Sequence, residues 1–291
     1  MRAKQFYSYL SERENIRIRR EQGMEFPWTR DKILREYKFT NVKRLHDRTT
    51  QFLKNYFYDK EGQEPETRRL ILLNCALFRY FGTWEFARDV HWQRGFKPEY
   101  IKKVARRRMD TGERVFTGSY MITNCHIKAP KIDVVVDYFL TDLWKKSKDI
   151  IGVAVGTASW EKTSEALRNV HGFGGTGFMG KELIMDTMLC NFWPTPDRLP
   201  IDYWTWSPLG PGSRRGIKRV TDRKDDPSDP VEFIRELAGK QKEFYQHYAA
   251  DPLQRLSPHD VQFGLCEFDK YERARLSEGR PRNKYHHRKG D

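Results

Sequence analysis

Apolar residues recur at helical spacing through most of the chain. In NVKRLHDRTTQFLKNYFY, residues 41–58, one stripe carries Val42, Leu45, Phe52, Leu53 and Tyr56. Proline follows a polar residue at the start of several segments, and it suits the first helical turn because its missing N–H costs nothing there. We predict helices near residues 3–20, 30–38, 41–58, 66–81, 84–94, 99–110, 131–147, 159–170, 177–191, 230–249 and 258–274.

Few segments have the pattern of extended structure. VFTGSYMIT (115–123) and IIGVAVG (150–156) are the candidates, although neither alternates cleanly. Residues 193–230 are rich in Pro and Gly and predict a long irregular loop, a kind of segment that is usually functional or disordered. We therefore expect a mainly α protein, with one helical domain over residues 1–275 and a basic flexible tail over 276–291.

Composition narrows the class of protein. Hydrophobic residues make up 38% of the chain and aromatic residues 14%, which is enough for a core and argues against disorder of the bulk. No apolar run approaches the roughly 18 residues of a membrane span, and the start lacks the apolar stretch of a signal peptide. The 4 cysteines form no CxxC pair, which argues against a zinc or iron–sulfur site and favours a reducing cytoplasm.

The balance of charge points to a polyanionic partner. Lys and Arg number 54 against 40 Asp and Glu, a formal net charge of +14. Nucleic acid is the leading candidate, although many basic proteins bind none. The helix predicted at 99–110 concentrates Lys102, Lys103, Arg106 and Arg107 on its outer side, where contact with a DNA backbone would relieve their mutual repulsion. The alternative is a simply exposed basic helix.

The glycine-rich segment 164–189, SEALRNVHGFGGTGFMGKELIMDTML, has two functional interpretations. Gly175 to Lys181 matches the phosphate-binding pattern GxxxxGK, but Glu182 stands where a Ser or Thr should follow, and a helix precedes it instead of a strand. A helix-hairpin-helix fits better, because glycine lets backbone N–H groups approach a DNA phosphate. An ordinary turn between packed helices remains the alternative. The DNA-binding candidates here are Gly172, Gly174, Thr176 and Lys181.

Two further groups of residues are candidates for binding a phosphorylated ligand. The polar face of the helix at 41–58 consists of Asn41, Arg44, Arg48 and Gln51, and Asp47 can pair with either arginine. The loop 207–217, SPLGPGSRRGI, offers Arg214 and Arg215, whose guanidinium groups suit bidentate binding of phosphate. A salt-bridged surface helix and a solvated basic loop are the alternatives.

The last helix places three functional side chains together. In DVQFGLCEFDKYERAR, residues 260–275, Glu267, Lys270 and Tyr271 follow the i, i+3, i+4 spacing of one helical face, opposite an apolar stripe of Val261, Leu265 and Phe268. A carboxylate beside a lysine can act as a general base or bind an amine. A routine ion pair on a helix surface is the alternative.

Taken in order, these segments resemble a family of phage DNA-hypermodification proteins. The resemblance rests on FPWT, FTNVKRLHDR, VFTGSYMI, HGFGGTGFMGKEL, GPGSRRGI and LCEFDKYER, and it covers about residues 5–275. The chain is similar to the amino acid:DNA transferases and to the helical domain associated with 5-hydroxymethyluracil DNA kinases. The resemblance implies a helical bundle with a helix-hairpin-helix, a divergent relative of the helical DNA glycosylases. No Asp occupies the loop between Asp202 and Asp222, where a glycosylase of that superfamily carries its catalytic residue.

The resemblance also implies a reaction. An amino acid joins phosphorylated 5-hydroxymethyluracil in DNA through its amino group and displaces phosphate, in the cytoplasm of a phage-infected bacterium. The implied partners are double-stranded DNA with the modified base, a free amino acid, a pathway kinase and later modifying enzymes; no membrane and no cofactor or metal are expected. A non-catalytic DNA-binding partner of the kinase and a divergent glycosylase are the alternatives.

Roles follow for the residues singled out above. The catalytic candidates are Glu267, Arg48, Arg44 and Asp47. The substrate-binding candidates are Asn41, Trp28, Arg214, Arg215, Lys270 and Tyr271, with Trp28 or Tyr271 stacking on a base flipped out of the duplex. The DNA-binding candidates are the hairpin residues and the basic helix.

Overall fold

The protein is mainly α-helical, as the sequence predicts. The computed structural model describes residues 2–57, 62–118, 122–175, 177–225, 227–251, 254–279, 281 and 283–287. Its α-helices are α1 (Ala3–Glu21), α2 (Lys32–Glu36), α3 (Arg48–Phe57), α4 (Pro65–Phe81), α5 (Trp84–Val90), α6 (Pro98–Asp110), α7 (Lys131–Asp133), α8 (Thr141–Thr157), α9 (Trp160–Arg168), α10 (Phe178–Thr187), α11 (Pro211–Thr221), α12 (Pro230–Gly239), α13 (Gln241–Phe244) and α14 (Pro258–Arg275). A 3₁₀ turn (Arg44–His46) and a π-helical stretch (Val134–Leu140) complete the helical structure. None of the described helices is both long and apolar enough to span a membrane.

Local sequence accounts for where many helices begin. Pro65, Pro98, Pro230 and Pro258 each lie in the first turn of a helix, as predicted. The side chains that cap helix N-termini by accepting backbone N–H groups are those of Asp31, Thr83, Ser159, Asp229 and Ser257. Ser257 and Asp260 cap α14 reciprocally, since the Asp260 carboxylate accepts the Ser257 N–H at 2.9 Å.

The chain divides into two compact units. The sequence predicts one helical domain over residues 1–275, and this stays a prediction. Unit 1 comprises Met1–Asp47 and Tyr203–Asp291. Its core is built by α1, α11, α12 and α14 around Phe6, Leu237 and Phe268. Helices α11 and α14 approach very closely at Gly216, which has no Cβ. A Cβ at this position would collide with the carbonyl oxygen of Leu265.

Unit 2 comprises Arg48–Asp202 and packs α4 against α8 and α10. Its largest fully buried side chains include Trp160, Trp193 and Phe139. A buried bidentate ion pair joins Arg79 of α4 to Asp186 of α10. Burying a charge is costly unless it is paired, so removal of either partner would leave an uncompensated charge between α4 and α10.

Three predicted elements are wrong. The helix at 41–58 is interrupted, because Lys43 and Asp47 are extended and only a 3₁₀ turn separates them. The run at 150–156 is helical rather than extended, since it forms the end of α8; a short apolar run does not distinguish the two. Part of the loop at 193–230 is helix α11. At its start the hydroxyl of Ser213 accepts the N–H of Gly210 at 3.1 Å and donates to the carbonyl of Gly210 at 2.9 Å.

Part of the predicted flexible tail is anchored. The N–H of Lys38 donates to the carbonyl of Asn283 at 2.9 Å, and the N–H of Tyr285 donates to the carbonyl of Glu36 at 2.9 Å. His287 stacks on Phe26 with ring centroids 4.7 Å apart. Residues 283–285 therefore pair with the segment 36–38 of unit 1, through backbone hydrogen bonds that composition alone does not predict.

Candidate functional site

Helix α14 presents the predicted functional face. The apolar stripe is confirmed, since Val261, Leu265 and Phe268 are at most 1% exposed. With that stripe in the core, Glu267 and Lys270 project together, and the lysine Nζ lies 2.7 Å from the carboxylate oxygen Oε2. The two side chains are 16% and 24% exposed, so this ion pair is more sheltered than a routine surface pair.

The backbone of residues 38–40 is bound to this ion pair. Oε2 of Glu267 also accepts the N–H of Thr40 at 3.0 Å. Nζ of Lys270 donates to the carbonyl of Lys38 at 3.0 Å and lies 4.6 Å from the centroid of the Phe39 ring. Both hydrogen bonds to the Glu267 carboxylate therefore end on Oε2, and Oε1 accepts no hydrogen bond from the described residues.

Tyr271 links the same face to the start of α2. Its hydroxyl donates to Oδ2 of Asp31 at 2.6 Å, while Oδ1 of Asp31 caps α2 by accepting the N–H groups of Ile33 and Leu34. Burial, and next the neighbouring Asp31 carboxylate, raise the pKa of Tyr271 well above its usual value. The phenol is therefore neutral at physiological pH and acts as a donor.

Helix α1 adds a cation to the group. Nη2 of Arg13 donates to Oδ1 of Asn41 at 2.6 Å and to the carbonyl of Phe39 at 3.2 Å. Asn41 is itself held by a bond from Nδ2 to the carbonyl of His46 at 2.7 Å. Burial lowers the pKa of Arg13, and the negative charges of Glu14 and Glu267 act in the opposite direction.

Tyr9 lies one helical turn before Arg13 and is 5% exposed. Its ring centroid is 5.0 Å from that of Tyr271 and 6.0 Å from that of Phe39. Its buried hydroxyl forms no hydrogen bond with any described residue. Burial raises the pKa of Tyr9 strongly, and the Glu267 carboxylate is the largest charge that raises it further.

We call these seven residues the Glu267 cluster. Its members are Tyr9, Arg13, Asp31, Asn41, Glu267, Lys270 and Tyr271. All belong to unit 1, and four of them were singled out from the sequence. Tyr9, Arg13 and Asp31 were missed. The i, i+4 spacing of Tyr9 and Arg13 on a predicted helix is the signal that could have paired them.

The other predicted catalytic residues do not form a row. Arg44 lies in the 3₁₀ turn, the exposed Asp47 is extended, and the exposed Arg48 begins α3 in unit 2. A helical spacing of three and four residues places side chains on one face only when the helix is continuous, and here it is not. The N–H of Arg44 instead bonds to the buried Asp260 carboxylate of unit 1.

Trp28 is not presented for stacking on a base. It is 7% exposed, and its indole N–H donates to the carbonyl of Met24 at 2.7 Å. Its ring contacts Phe26, Tyr285 and His287, with centroids 5.4 to 6.1 Å apart. The segment predicted to be a tail therefore occupies the surface that a base would need.

Arg214 and Arg215 are exposed in the first turns of α11, where the sequence predicts a turn. Nε of Arg215 lies 2.8 Å from the carboxylate of Asp269, which is 1% exposed. Arg219 and Arg273 approach the same carboxylate at 3.4 and 3.5 Å. The charge of Arg215 thus helps to join α11 to α14.

The glycine-rich turn between α9 and α10 serves packing inside unit 2. A Cβ at Gly172 would collide with the Tyr80 hydroxyl and would lie 2.5 Å from the Phe139 ring, so the missing side chain makes room for the core. Gly174 is exposed, whereas Lys181 is 4% exposed and lies 3.5 Å from Glu182. The Lys181 side chain is therefore buried and not presented to a DNA phosphate. A contact between the hairpin backbone and DNA stays a prediction, and Thr176 lies outside the described residues.

Most of the predicted basic surface of α6 is neutralised. Lys102 is 8% exposed and pairs with Asp137 at 2.8 Å and Glu99 at 2.7 Å. Arg106 pairs with Asp133 at 2.5 Å, and Arg107 pairs with Asp89 at 2.7 Å. The exposed Lys103 has no ion-pair partner among the described residues. The prediction of mutually repelling, uncompensated cations is wrong, because acids distant in sequence fold against them.

The fold therefore defines a class: a mainly helical protein with a partly buried, charged cluster on its last long helix. The family model described as "5-hmdU DNA kinase, helical domain" matches residues 2–280, and the chain belongs to that family. This confirms the resemblance to the kinase-associated helical domain.

A relative named "5-hmdU DNA kinase", from Bacillus phage SP10, is 25% identical over 296 residues. The match covers 91% of this chain and 44% of the relative, so the chain spans less than half of that protein's length. No solved structure matches the chain.

Proposed function

We propose that the chain acts in the modification of 5-hydroxymethyluracil in phage DNA, as a transferase. It joins an amino acid through its amino group to the phosphorylated base and displaces phosphate. The family and the phage relative support the pathway. The observation that supports the transfer step is the Glu267 cluster. Its sheltered Glu267 carboxylate accepts no hydrogen bond from the described residues at Oε1, and the cluster also contains two cations, Arg13 and Lys270.

The chemistry needs a base and a cation. An amino acid is an ammonium ion at neutral pH and cannot attack until it loses a proton. Oε1 of Glu267 takes that proton. The amine nitrogen then forms a bond to the methylene carbon of the base, and the C–O bond breaks with its electron pair on phosphate. The second nitrogen proton leaves with the phosphate.

The leaving phosphate requires positive charge as the bond breaks. Arg44 and Arg214 of unit 1 remain the proposed phosphate ligands, with Asp47 orienting Arg44. The role of Arg48, which lies in unit 2, stays a prediction. Arg215 is a weaker candidate because it binds Asp269. The target base must leave the duplex to be reached, since its reacting carbon is otherwise stacked and paired.

A second candidate function is a helical partner of a DNA kinase. The observation in its favour is that the family is named for a helical domain and that the match covers 44% of the kinase relative. In this case the chain binds modified DNA and raises the rate of a separate kinase without any transfer of its own.

One assay separates the two functions. The protein is incubated with DNA containing 5-phosphomethyluracil and each of the standard amino acids in turn, and the nucleosides are analysed by mass spectrometry. The transferase yields an aminoacyl adduct and free phosphate. Binding without an adduct for every amino acid, together with stimulation of an added kinase, rejects the transferase and favours the partner.

Variants of the cluster refine this test. Glu267→Gln removes the base but keeps the shape, and we expect the rate of transfer to fall by roughly a hundredfold or more. Glu232→Gln is the matched control, because Glu232 forms an i, i+3 ion pair with Arg235 on α12 of the same unit. Equal losses in the two variants would remove Glu267 from the mechanism.

A further inference from the structure

The guanidinium of Arg13 lacks a carboxylate partner among the described residues. It is partly buried, its two hydrogen bonds to described residues both use Nη2, and no described carboxylate forms an ion pair with it. Arg17, one turn further along α1, has two such partners, Glu14 and Glu21. The Nε and Nη1 donors of Arg13 bond no described residue, so this guanidinium can bind an anion through them.

A second, independent observation points to the same place. The hydroxyl of Tyr9 is buried and forms no hydrogen bond with the described residues, although it lies among the charges of Arg13 and Glu267. An unsatisfied buried hydroxyl is costly, and native proteins rarely keep one without a reason. A bound oxygen atom would satisfy both Tyr9 and Arg13.

The charge of the cluster selects the kind of ligand. Arg13 and Lys270 contribute two positive charges, and Asp31 and Glu267 contribute two negative charges. Such a site disfavours a phosphate dianion, which the two carboxylates repel. It suits a zwitterion, whose ammonium group faces a carboxylate and whose own carboxylate faces a guanidinium.

We infer that Arg13 and Tyr9 bind the α-carboxylate of the amino acid, and that Oε1 of Glu267 faces its ammonium group. This rests on the proposed function for the choice of an amino acid as co-substrate. One carbon separates the two groups of an α-amino acid, which fits a guanidinium and a carboxylate within one cluster. The site thus binds the α-carboxylate and ammonium groups that all amino acids share, and selection among side chains takes place elsewhere.

Binding is measured by calorimetry on the full chain, with and without DNA containing 5-phosphomethyluracil. The probes are the standard amino acids taken singly, the α-carboxamide of each one that binds, and inorganic phosphate. We expect the carboxamide to bind about 10- to 100-fold more weakly than the amino acid, because it lacks the charge-assisted bond to Arg13. Arg13→Met should abolish this discrimination, and Arg13→Lys should restore part of it.

Tyr9→Phe and Tyr7→Phe are a matched pair on α1. The hydroxyl of Tyr7 donates to the carbonyl of Leu237 at 2.5 Å, whereas that of Tyr9 has no such bond to a described residue. We expect Tyr7→Phe to lower the melting temperature and leave amino-acid affinity unchanged. Tyr9→Phe should leave the melting temperature unchanged or higher and weaken binding several-fold, a combination that a purely structural role does not produce.

The inference and the proposed function fail separately. Amino-acid binding that depends on Arg13, without any transfer to DNA, supports the carboxylate site and rejects the transferase. Transfer or binding that is unchanged in Arg13→Met rejects the carboxylate site alone. Absence of amino-acid binding with and without DNA also rejects it, as does binding of inorganic phosphate that requires Arg13.

Discussion

At the scale of single residues, the buried carboxylate of Glu14 makes the stability of the protein depend on pH. Burial alone would raise its pKa, but the His46 ring, 3.5 Å from the carboxylate, and the hydrogen bonds from Arg17 lower it to about 2, from an ordinary value of 4.5. Because the folded-state pKa is the lower one, the stabilisation is fully present above about pH 4.5 and is lost as the pH falls toward 2.

The first prediction follows from that shift. Denaturant unfolding between pH 4.5 and 2 should show wild-type stability falling by up to about 3 kcal/mol because of this group. Glu14→Gln should be less stable at neutral pH and lack this part of the slope. Glu21→Gln is the control, since that carboxylate binds the same Arg17 but is 60% exposed, and its removal should leave the slope intact.

Gly172 carries the second prediction. Its φ of +83° is costly for other residues, and an added Cβ meets Tyr80 and Phe139. Gly172→Ala should lower the free energy of unfolding by about 2–5 kcal/mol, from backbone strain and overpacking together. Gly175→Ala has a similar φ of +66° but meets no atom within 4 Å, so it should cost only about 1–2 kcal/mol. Equal losses would show that packing against the core contributes nothing.

The sequence could predict some members of the Glu267 cluster and not others. Glu267, Lys270 and Tyr271 follow from helical spacing within one segment, and no tertiary information is needed. Arg13 and Asp31 reach the cluster only because α1 and the start of α2 pack against α14. The bond between Asp31 and Tyr271 joins residues 240 positions apart, and periodicity within one segment does not encode such a contact.

At the scale of helices, glycine has opposite effects in two places. Gly216 of α11 faces the backbone of Leu265 in α14, which cannot move aside as a side chain can. Gly152 of α8 is exposed, and a Cβ added there would meet no atom within 4 Å. Gly216→Ala should therefore destabilise the protein by at least about 2 kcal/mol. Gly152→Ala should stabilise it by roughly 0.5–1 kcal/mol, through helix propensity. Thermal unfolding of both variants tests the contrast.

Helix α6 carries the fourth prediction, which concerns DNA. If the chain binds duplex backbone through α6, Lys103 is the cation best placed to do so, because Lys102, Arg106 and Arg107 face acids. Lys103→Gln should reduce the slope of log affinity against log salt by about one. Arg107→Gln should change it less, since Asp89 already neutralises that charge. A larger effect at Arg107 would contradict this assignment.

The mispredicted helices have a common physical origin. Asn41 is bound by Arg13 and binds the carbonyl of His46, which holds the segment in a turn where propensity favoured a helix. In α11 the glycines that suggested a loop instead allow close approach to α14. In both cases a tertiary contact overrides the local signal.

At the scale of the whole molecule, the net charge of +14 is a poor guide to where a polyanion binds. Much of the positive charge predicted to bind DNA lies against acids from other elements, in α6. The same holds for Arg215, predicted to bind the substrate phosphate, which lies against Asp269. Charge composition predicts the sum, but only the fold determines which cations are already paired. The mainly helical class and the family could be predicted from the sequence, because both depend on patterns that extend along the chain.

The pairing of residues 283–285 with 36–38 has a consequence for where this domain ends. The family model stops at residue 280, yet the hydrogen bonds from Lys38 to Asn283 and from Tyr285 to Glu36 lie beyond that boundary. Lys38 also supplies the carbonyl that binds Lys270. A chain cut after residue 280 should therefore melt at a lower temperature and bind amino acids more weakly than the full chain, as thermal unfolding and calorimetry can measure. A boundary taken from shared sequence would omit a segment that supports the site.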